Sequence, residues 1–154
     1  MFAAIRSGGQ SGVDRAALDC AIKHGIAVCG FTPAGGWAED IDDLTKHYPT
    51  LTKTPSSDPN VRTTLNVVYS DFTLIISDND SPGTLLTAQL CQLLDKPCLI
   101  VPSDVDRSVI VTWLRSLKTP MDLNVAGDRQ SESPGIYGRT KDLLDQVFTT
   151  ISES

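Results

Sequence analysis

Apolar and polar positions alternate along this chain in a repeating order of short apolar runs and helical stripes. Phe2 to Arg6 is a short apolar strand, followed by the turn SGGQSG and the run VDRAALDCAIKHG. In that run Val13, Ala16, Ala17, Cys20 and Ala21 share one helical face, and Gly25 supplies the stop. IAVCGF (26–31) reads as the second strand. A long irregular stretch follows from Thr32 to about Pro59, rich in Gly, Pro, Thr, Asp and Ser; such a loop inside a compact domain is more often functional than idle. The pattern then turns helical over VRTTLNVVYSD, with Val61, Leu65 and Val68 on one side, Asp58 as N-cap and Pro59 at the first helical position. FTLIIS (72–77) is a continuous apolar run, as in a strand covered on both faces. The turn DNDSPGT opens a helix, LLTAQLCQLLDK, which leads to a strand at PCLIVP. A helix over 107–118, a strand at MDLNVAG, the loop DRQSESPGIYG and a closing helix, RTKDLLDQVFTTI, complete the chain.

This alternation predicts an α/β chain: a Rossmann-like three-layer fold with a mostly parallel sheet and helices on both faces. In such sheets ligands bind beyond the carboxyl ends of the strands, near a topological switch point. SGGQSG, the TPAGG region, SDNDSPGT and GDRQSESPG all follow strands and are expected to converge on one rim.

The 154 residues fit a single domain, 1–154, and at this length no disulfide or metal staple is required. Hydrophobic residues make up 40% and charged residues 21%, which excludes collagen-like, coiled-coil and disordered classes. No apolar run approaches the roughly 20 residues of a membrane span. The segment MFAAIRSGGQ lacks a basic region ahead of a long apolar stretch, so no signal peptide and a cytoplasmic location are expected. The net charge of −6 argues against nucleic acid as a partner but leaves room for a small anionic ligand in a locally positive site. Cys20, Cys29, Cys91 and Cys98 show no CxxC spacing and no nearby histidine partner, so reduced, buried thiols and no metal site are expected. His24 ends a helical pattern, where an imidazolium suits the helix dipole.

The rim loops carry the candidate chemistry. Gly8, Gly9 and Gly12 let the backbone approach an anion at a helix N-terminus, and Gln10 and Ser11 add donors. The spacing is neither GxGxxG nor a P-loop, and tight strand–helix packing without a ligand explains the same glycines. Ser81, Gly83 and Thr84 form a second such turn, where capping alone would account equally well for Thr84. In the long loop, Gly35 and Gly36 precede Trp37, a flat surface for a heterocycle or a simple anchor; Glu39 and Asp40 are acceptors for ring N–H groups. Arg62, Thr63 and Asn66 either close over a ligand or form a solvated face. Arg129, Ser131, Glu132, Ser133, Gly135 and Tyr137 supply donors and one carboxylate, or belong to an ordinary surface loop. No Ser-His-Asp order, no HExxH and no rim histidine occur, and Asp14, Asp40 and Asp71 are the obvious acid/base candidates. A binding protein fits this set better than an enzyme.

Taken in order, SGGQSGVDRAALDCAI, GGWAED, TPSSDPNVRTTLNVVYSDFTLII, SPGTLLT with KPCLIV, and LNVAGDRQSESPGIYG resemble the molybdenum cofactor carrier family over nearly the whole chain. That family belongs to a Rossmann-like group that includes the "lonely guy" phosphoribohydrolases and lysine-decarboxylase-like proteins. The resemblance implies a protein that binds, protects and transfers molybdenum cofactor (a molybdopterin-type ligand) without catalysis. It places the phosphate near Gly8 to Gly12 and Gly83-Thr84, and the pterin and metal end toward Trp37 and Ser131 to Gly135. Molybdenum-enzyme apoproteins are implied as partners, and a homo-oligomer is expected. The family more often has threonine where Ser11 stands, and a glycine where Ile41 follows AED. The hydrolase relatives resemble PGGxGTxxE, whereas Thr87 stands here at the place of the glutamate. The alternative is an enzyme acting on a nucleotide or nucleoside phosphate, using Asp14, Asp40 or Asp71. A nucleotide sensor is a third reading.

Overall fold

Six strands and five helices alternate along the chain in the computed structural model, which describes residues 1–153. Ser154, the last residue of the expected domain, lies outside the described residues. The elements are β1 (Phe2–Arg6), α1 (Val13–Lys23), β2 (Val28–Thr32), β3 (Leu51–Lys53), α2 (Pro59–Tyr69), β4 (Phe72–Ile76), α3 (Pro82–Leu93), β5 (Cys98–Val101), α4 (Arg107–Arg115), β6 (Met121–Gly127) and α5 (Ile136–Ser152). The strands form one sheet in the order β3-β2-β1-β6-β4-β5, and every recorded pairing is parallel. The chain winds outward from β1 to β3, crosses to β4 and β5, and returns through α4 to insert β6 between β1 and β4. The expected α/β class with helices on both faces is therefore what the chain adopts. No helix among the described residues is long and apolar enough to cross a membrane.

The strand period of two divides the sheet chemically. Ile5, Leu74, Ile76, Leu123 and Val125 are buried in one apolar cluster with residues of α1, α4 and α5. The alternate positions on β6 are Asp122, Asn124 and Ala126. Asp122 receives a two-pronged ion pair from Arg6, Nε to Oδ1 at 3.0 Å and Nη2 to Oδ2 at 2.8 Å. Asn124 Nδ2 lies 3.4 Å from Thr73 Oγ1 of β4. The second face, beneath α2 and α3, is thus lined in good part by polar groups.

Several boundaries differ from the sequence expectation. The long stretch after β2 contains β3 and two short 3-10 turns, Ala34–Gly36 and Leu44–Lys46. Three residues pairing with Gly30–Thr32 are too few to produce a readable alternation. The α2 cap forms as expected, with Asp58 accepting from Asn60 N at 2.9 Å. Its buried face, however, is Asn66 and Val67, while Val68 and Tyr69 are exposed. The Asn66 amide accepts from Phe31 N at 2.9 Å and donates to Phe31 O at 3.1 Å, which docks that side of the helix on β2. α3 starts earlier than expected, with Ser81 as N-cap and Pro82 in the first turn. α5 likewise starts at Ile136, directly after Gly135 in the left-handed region (φ 86°).

Candidate functional site

A cleft of about 250 Å³ opens at the carboxyl end of the sheet, where β6 sits between the outgoing and returning halves of the chain. Its floor is Asn124, Ala126 and Gly127 of β6. The first two turns of α2 form one wall through Pro59, Asn60, Arg62, Thr63 and Asn66. The N-terminal turns of α3 form another, from Ser81 to Thr84 and at Thr87. Gly8, Gln10 and Asp14 complete the lining from the β1–α1 connection, with Trp37, Arg129 and Glu132 alongside. This is the crevice that a strand-order reversal creates in an open parallel sheet.

Arg62 and Asp14 are the charged groups set deepest in it. Arg62 Nη1 donates to Gly8 O at 3.2 Å and Nε to Pro59 O at 3.2 Å, whereas Nη2 makes no hydrogen bond among the described residues. A Cβ at Gly8 would stand 2.5 Å from Arg62 Nη1 and 3.1 Å from Asp14 Oδ2, so any side chain here would displace the Arg62 guanidinium from its place beside Asp14. Burial pushes the Asp14 carboxyl up to about 6, and the Arg62 charge and hydrogen bonds from the Gln10 and Gly127 backbone temper that rise. Burial also lowers the Arg62 guanidinium below its ordinary value. Asn124 is 2% exposed; among the described residues its Nδ2 makes only the long contact to Thr73, and its Oδ1 has no partner. On α3, the space a Cβ would take at Gly83 is open to 4 Å. The N-terminal N–H groups of a helix offer partial positive charge at such a place. Ser81 Oγ donates to Thr84 Oγ1 at 2.9 Å and accepts from Thr84 N at 3.4 Å, which fixes that turn.

The cleft brings together Gly8, Gln10, Trp37, Arg62, Asn66, Ser81, Gly83, Thr84, Arg129 and Glu132 among the expected site residues. The others stand outside its lining. Gly9, at φ 75°, turns its Cα toward Leu44 and Leu51 of a small apolar cluster. Gly12, at φ 82°, passes so close to Asp128 O that a Cβ would stand 2.3 Å from it. Gly35, Gly36 and Gly135 lie in the surrounding turns.

Ser11 and Ser131 are both tied to Glu39. Its carboxylate accepts from Ser11 Oγ, from Ser131 N at 3.2 Å and from Ser131 Oγ at 2.6 Å. Burial alone would raise this carboxyl, but those hydrogen bonds hold it below the ordinary value. Gln10 Oε1 accepts from Ser11 N at 3.0 Å and Glu39 N at 2.9 Å, linking the first loop to the long one. Asp40 is engaged by both Arg15 terminal nitrogens at 3.0 and 2.8 Å, while Arg15 Nε donates to Gly9 O. Asp71 is at the far end of the sheet, where its Oδ2 accepts from Asp122 N at 2.8 Å. Of the three acid/base candidates, only Asp14 reaches the cleft.

Two residues that sequence reasoning missed organise this rim. Asp128 is fully buried and accepts from Ser77 Oγ at 2.7 Å, Asp78 N at 2.8 Å, Asn79 N at 3.0 Å and Ser133 Oγ at 2.9 Å. It thereby joins the loop after β4 to the loop after β6 and explains the placement of Ser133. Asn124 was readable only as a polar residue within the strand MDLNVAG. The histidine partner absent from the sequence reading also exists: Cys20 and His24 are four residues apart at the end of α1, and Asp145 lies beside them.

No curated protein matches the chain. A crystal structure of a "putative molybdenum carrier protein" from Syntrophus aciditrophicus SB is similar at 40% sequence identity and a TM-score of 0.85, over 96% of this chain and 94% of that one. The sequence resemblance to carrier proteins of that kind therefore extends to the structure. A model of the circularly permutated YpsA SLOG family matches residues 5–148. The chain, with β6 inserted at the switch point and its cleft above that strand, belongs to the circularly permutated YpsA SLOG family.

Proposed function

We propose that the cleft binds molybdenum cofactor as cargo and holds it for storage or transfer. The observation that carries this reading is the arrangement of the lining around β6. Arg62 and the α3 N-terminus supply positive potential for a phosphate, and Asn124 leaves an amide oxygen free for the N–H edge of a heterocycle. Trp37 is 37% exposed and available for stacking on a flat ring. The volume is near the lower end of small-molecule clefts, about 300 Å³. No cysteine or histidine lines the cleft, which suits a ligand whose dithiolene already holds the metal. The likeness to a protein named as a molybdenum carrier supports the same reading.

In this reading the residues outside the lining act as scaffold: Glu39 with Ser11 and Ser131, and Asp128 with Ser133, hold the loops that bring Arg129 and Glu132 to the mouth. The apolar side chains left exposed on α2, α3 and the edge strand β5 (Tyr69, Leu93 and Ile100 among them) are the surface for a homo-oligomer. Apoproteins of molybdenum enzymes are the proposed recipients.

One observation favours a second reading, an enzyme acting on a nucleotide or nucleoside phosphate. Asp14 is a buried carboxyl in the cleft, titrating near 6 and backed by Arg62, which is the property of a general acid or base. Anaerobic calorimetric titration with molybdenum cofactor, and separately with AMP and ATP, tests both. Tight cofactor binding that weakens in Arg62→Ala, with nucleotides silent, is the expected result. Nucleotide binding followed by turnover that Asp14→Asn abolishes would replace the carrier reading with the enzyme.

A further inference from the structure

At the opposite end of α1 from the cleft, three side chains of different chemistry meet. Cys20 Sγ, a His24 ring nitrogen and an Asp145 carboxylate oxygen all lie within 4.8 Å of one another. The spacing Cys20–His24 is one helical turn and a fraction, so both side chains leave α1 on one face. Asp145 comes from α5, which packs along α1. His24 Nε2 is 2.8 Å from Asp145 Oδ1, and the Cys20 thiol points toward Lys141 O at 3.8 Å. We propose that Cys20, His24 and Asp145 form a binding site for a thiophilic divalent cation of the zinc type, one that clasps the end of α1 to α5.

The donor set carries the choice of ion. One thiolate, one imidazole and one carboxylate are the ligands of borderline-soft cations, and three protein ligands leave a fourth position for water. A tetrahedral zinc site sets such N, O and S atoms about 3.3–3.6 Å apart, and the present triangle, with His24 Nε2 2.8 Å from Asp145 Oδ1 and no pair beyond 4.8 Å, is close to that span. His24 is the C-cap of α1, and its ring packs edge-on against Phe148 with 5.7 Å between centroids, which holds the imidazole at this corner. Among the described residues Asp145 Oδ2 makes no hydrogen bond, and it is available as the ligating oxygen. Lys23 Nζ stands 2.9 Å from Asp145 Oδ1, but its side chain is 60% exposed and swings into solvent at little cost when the cation arrives. Binding releases the Cys20 proton to solvent, and the thiolate and carboxylate together neutralise the divalent charge. In the metal-free protein, burial first and then the Asp145 charge push the Cys20 thiol up to about 12, so the thiol stays protonated until a cation displaces that proton.

The site is independent of the cleft and of what the cleft binds. Its probe is cobalt(II), which reports a thiolate ligand through a near-ultraviolet charge-transfer band. Chelator-treated wild-type protein is expected to develop that band at one equivalent of cobalt and to lose it on adding zinc. Cys20→Ser is expected to abolish the band; His24→Gln and Asp145→Asn are expected to weaken cobalt binding at least tenfold while far-ultraviolet circular dichroism stays native. The pair Cys91→Ser and Cys98→Ser serves as the control, because those two thiols adjoin each other on α3 and β5. Absence of a band in folded wild-type protein would overturn the proposal. So would a band that survives His24→Gln and Asp145→Asn unchanged but disappears in the Cys91 or Cys98 variant.

Discussion

The two faces of the sheet are built from the same strands and do different work. Against α1, α4 and α5, the residues Ile5, Leu74, Ile76, Leu123 and Val125 meet Leu114, Leu143, Leu144, Val147 and Phe148 in a continuous apolar core. Against α2 and α3, the same strands present Arg6 with Asp122, Thr73 and Asn124, and the helices answer with Asn66, Thr84 and Thr87, all buried. Ile75, Val67 and Cys91 are the buried apolar residues of that second side. A one-residue step along β6 therefore passes from core to candidate site. The first face supplies most of the burial that holds the fold together, and this frees the second to carry polar groups that a purely stabilising face would replace.

Neighbouring positions on β6 put this contrast to the hardest test. Leu123→Ala is expected to destabilise the protein by about 2–5 kcal/mol through lost burial and a residual cavity. Asn124→Leu, of the same branched shape though larger, is expected to cost less stability than Leu123→Ala and to weaken cofactor binding strongly. Denaturant unfolding of both variants beside ligand titration measures the pair. Equal destabilisation would mean that the polar face is structural and not a site.

Arg62→Ala comes next in size. Losing a charged donor to a phosphate is worth about 1.5–3 kcal/mol, so affinity is expected to fall at least tenfold, while circular dichroism shows a protein that is still folded though deprived of the Arg62 bonds to Gly8 O and Pro59 O. An unchanged Kd would move the anion elsewhere in the cleft.

The pH dependence of Asp14 sharpens the comparison further. Its folded-state pKa, about 6, is above the ordinary 3.8, so the folded state holds the extra proton between those values. The stability that Asp14 contributes is complete below about 3.8 and lost as pH rises through about 6, whereas Asp14→Asn removes this component of the curve. Protonation also removes a negative charge from the cleft, so an anionic ligand is expected to bind more tightly as pH falls through about 6. Titrations at pH 5 and pH 7.5 with both proteins read that difference; a wild-type affinity that rises with pH would contradict it.

The smallest effect concerns the outer surface of the polar side. Leu93 is 81% exposed on α3, and Leu93→Glu is expected to shift a homo-oligomer toward the monomer in sedimentation while leaving the unfolding free energy of the monomer within about 0.5 kcal/mol. A wild-type protein that is already monomeric would remove the oligomer from the functional reading.

The sequence alone determined the order of the helices and of every strand but the short β3, the α/β class and the convergence of the post-strand loops on one rim. Those properties follow from local periodicity and from the handedness of parallel connections, both written in nearest neighbours along the chain. Gly8, Gly83, Arg62 and Trp37 were legible as candidates because glycine turns and lone aromatics in loops stand out locally. Tertiary structure alone decided which loop residues face the cleft and which tie the loops together. Ser11, Glu39 and Ser131 come from three segments separated by 28 and 92 positions, and nothing in any one segment specifies their closure into a strut. Asn124 became the cleft floor only because β6, the last strand made, inserts between β1 and β4, so that the alternation of one strand is read against helices from elsewhere in the chain. Cys20, His24 and Asp145 show the same division: the helical spacing of the first two is local, but the third arrives through the packing of α5 on α1. Periodicity specifies which face of an element is polar; only long-range packing specifies what that face meets.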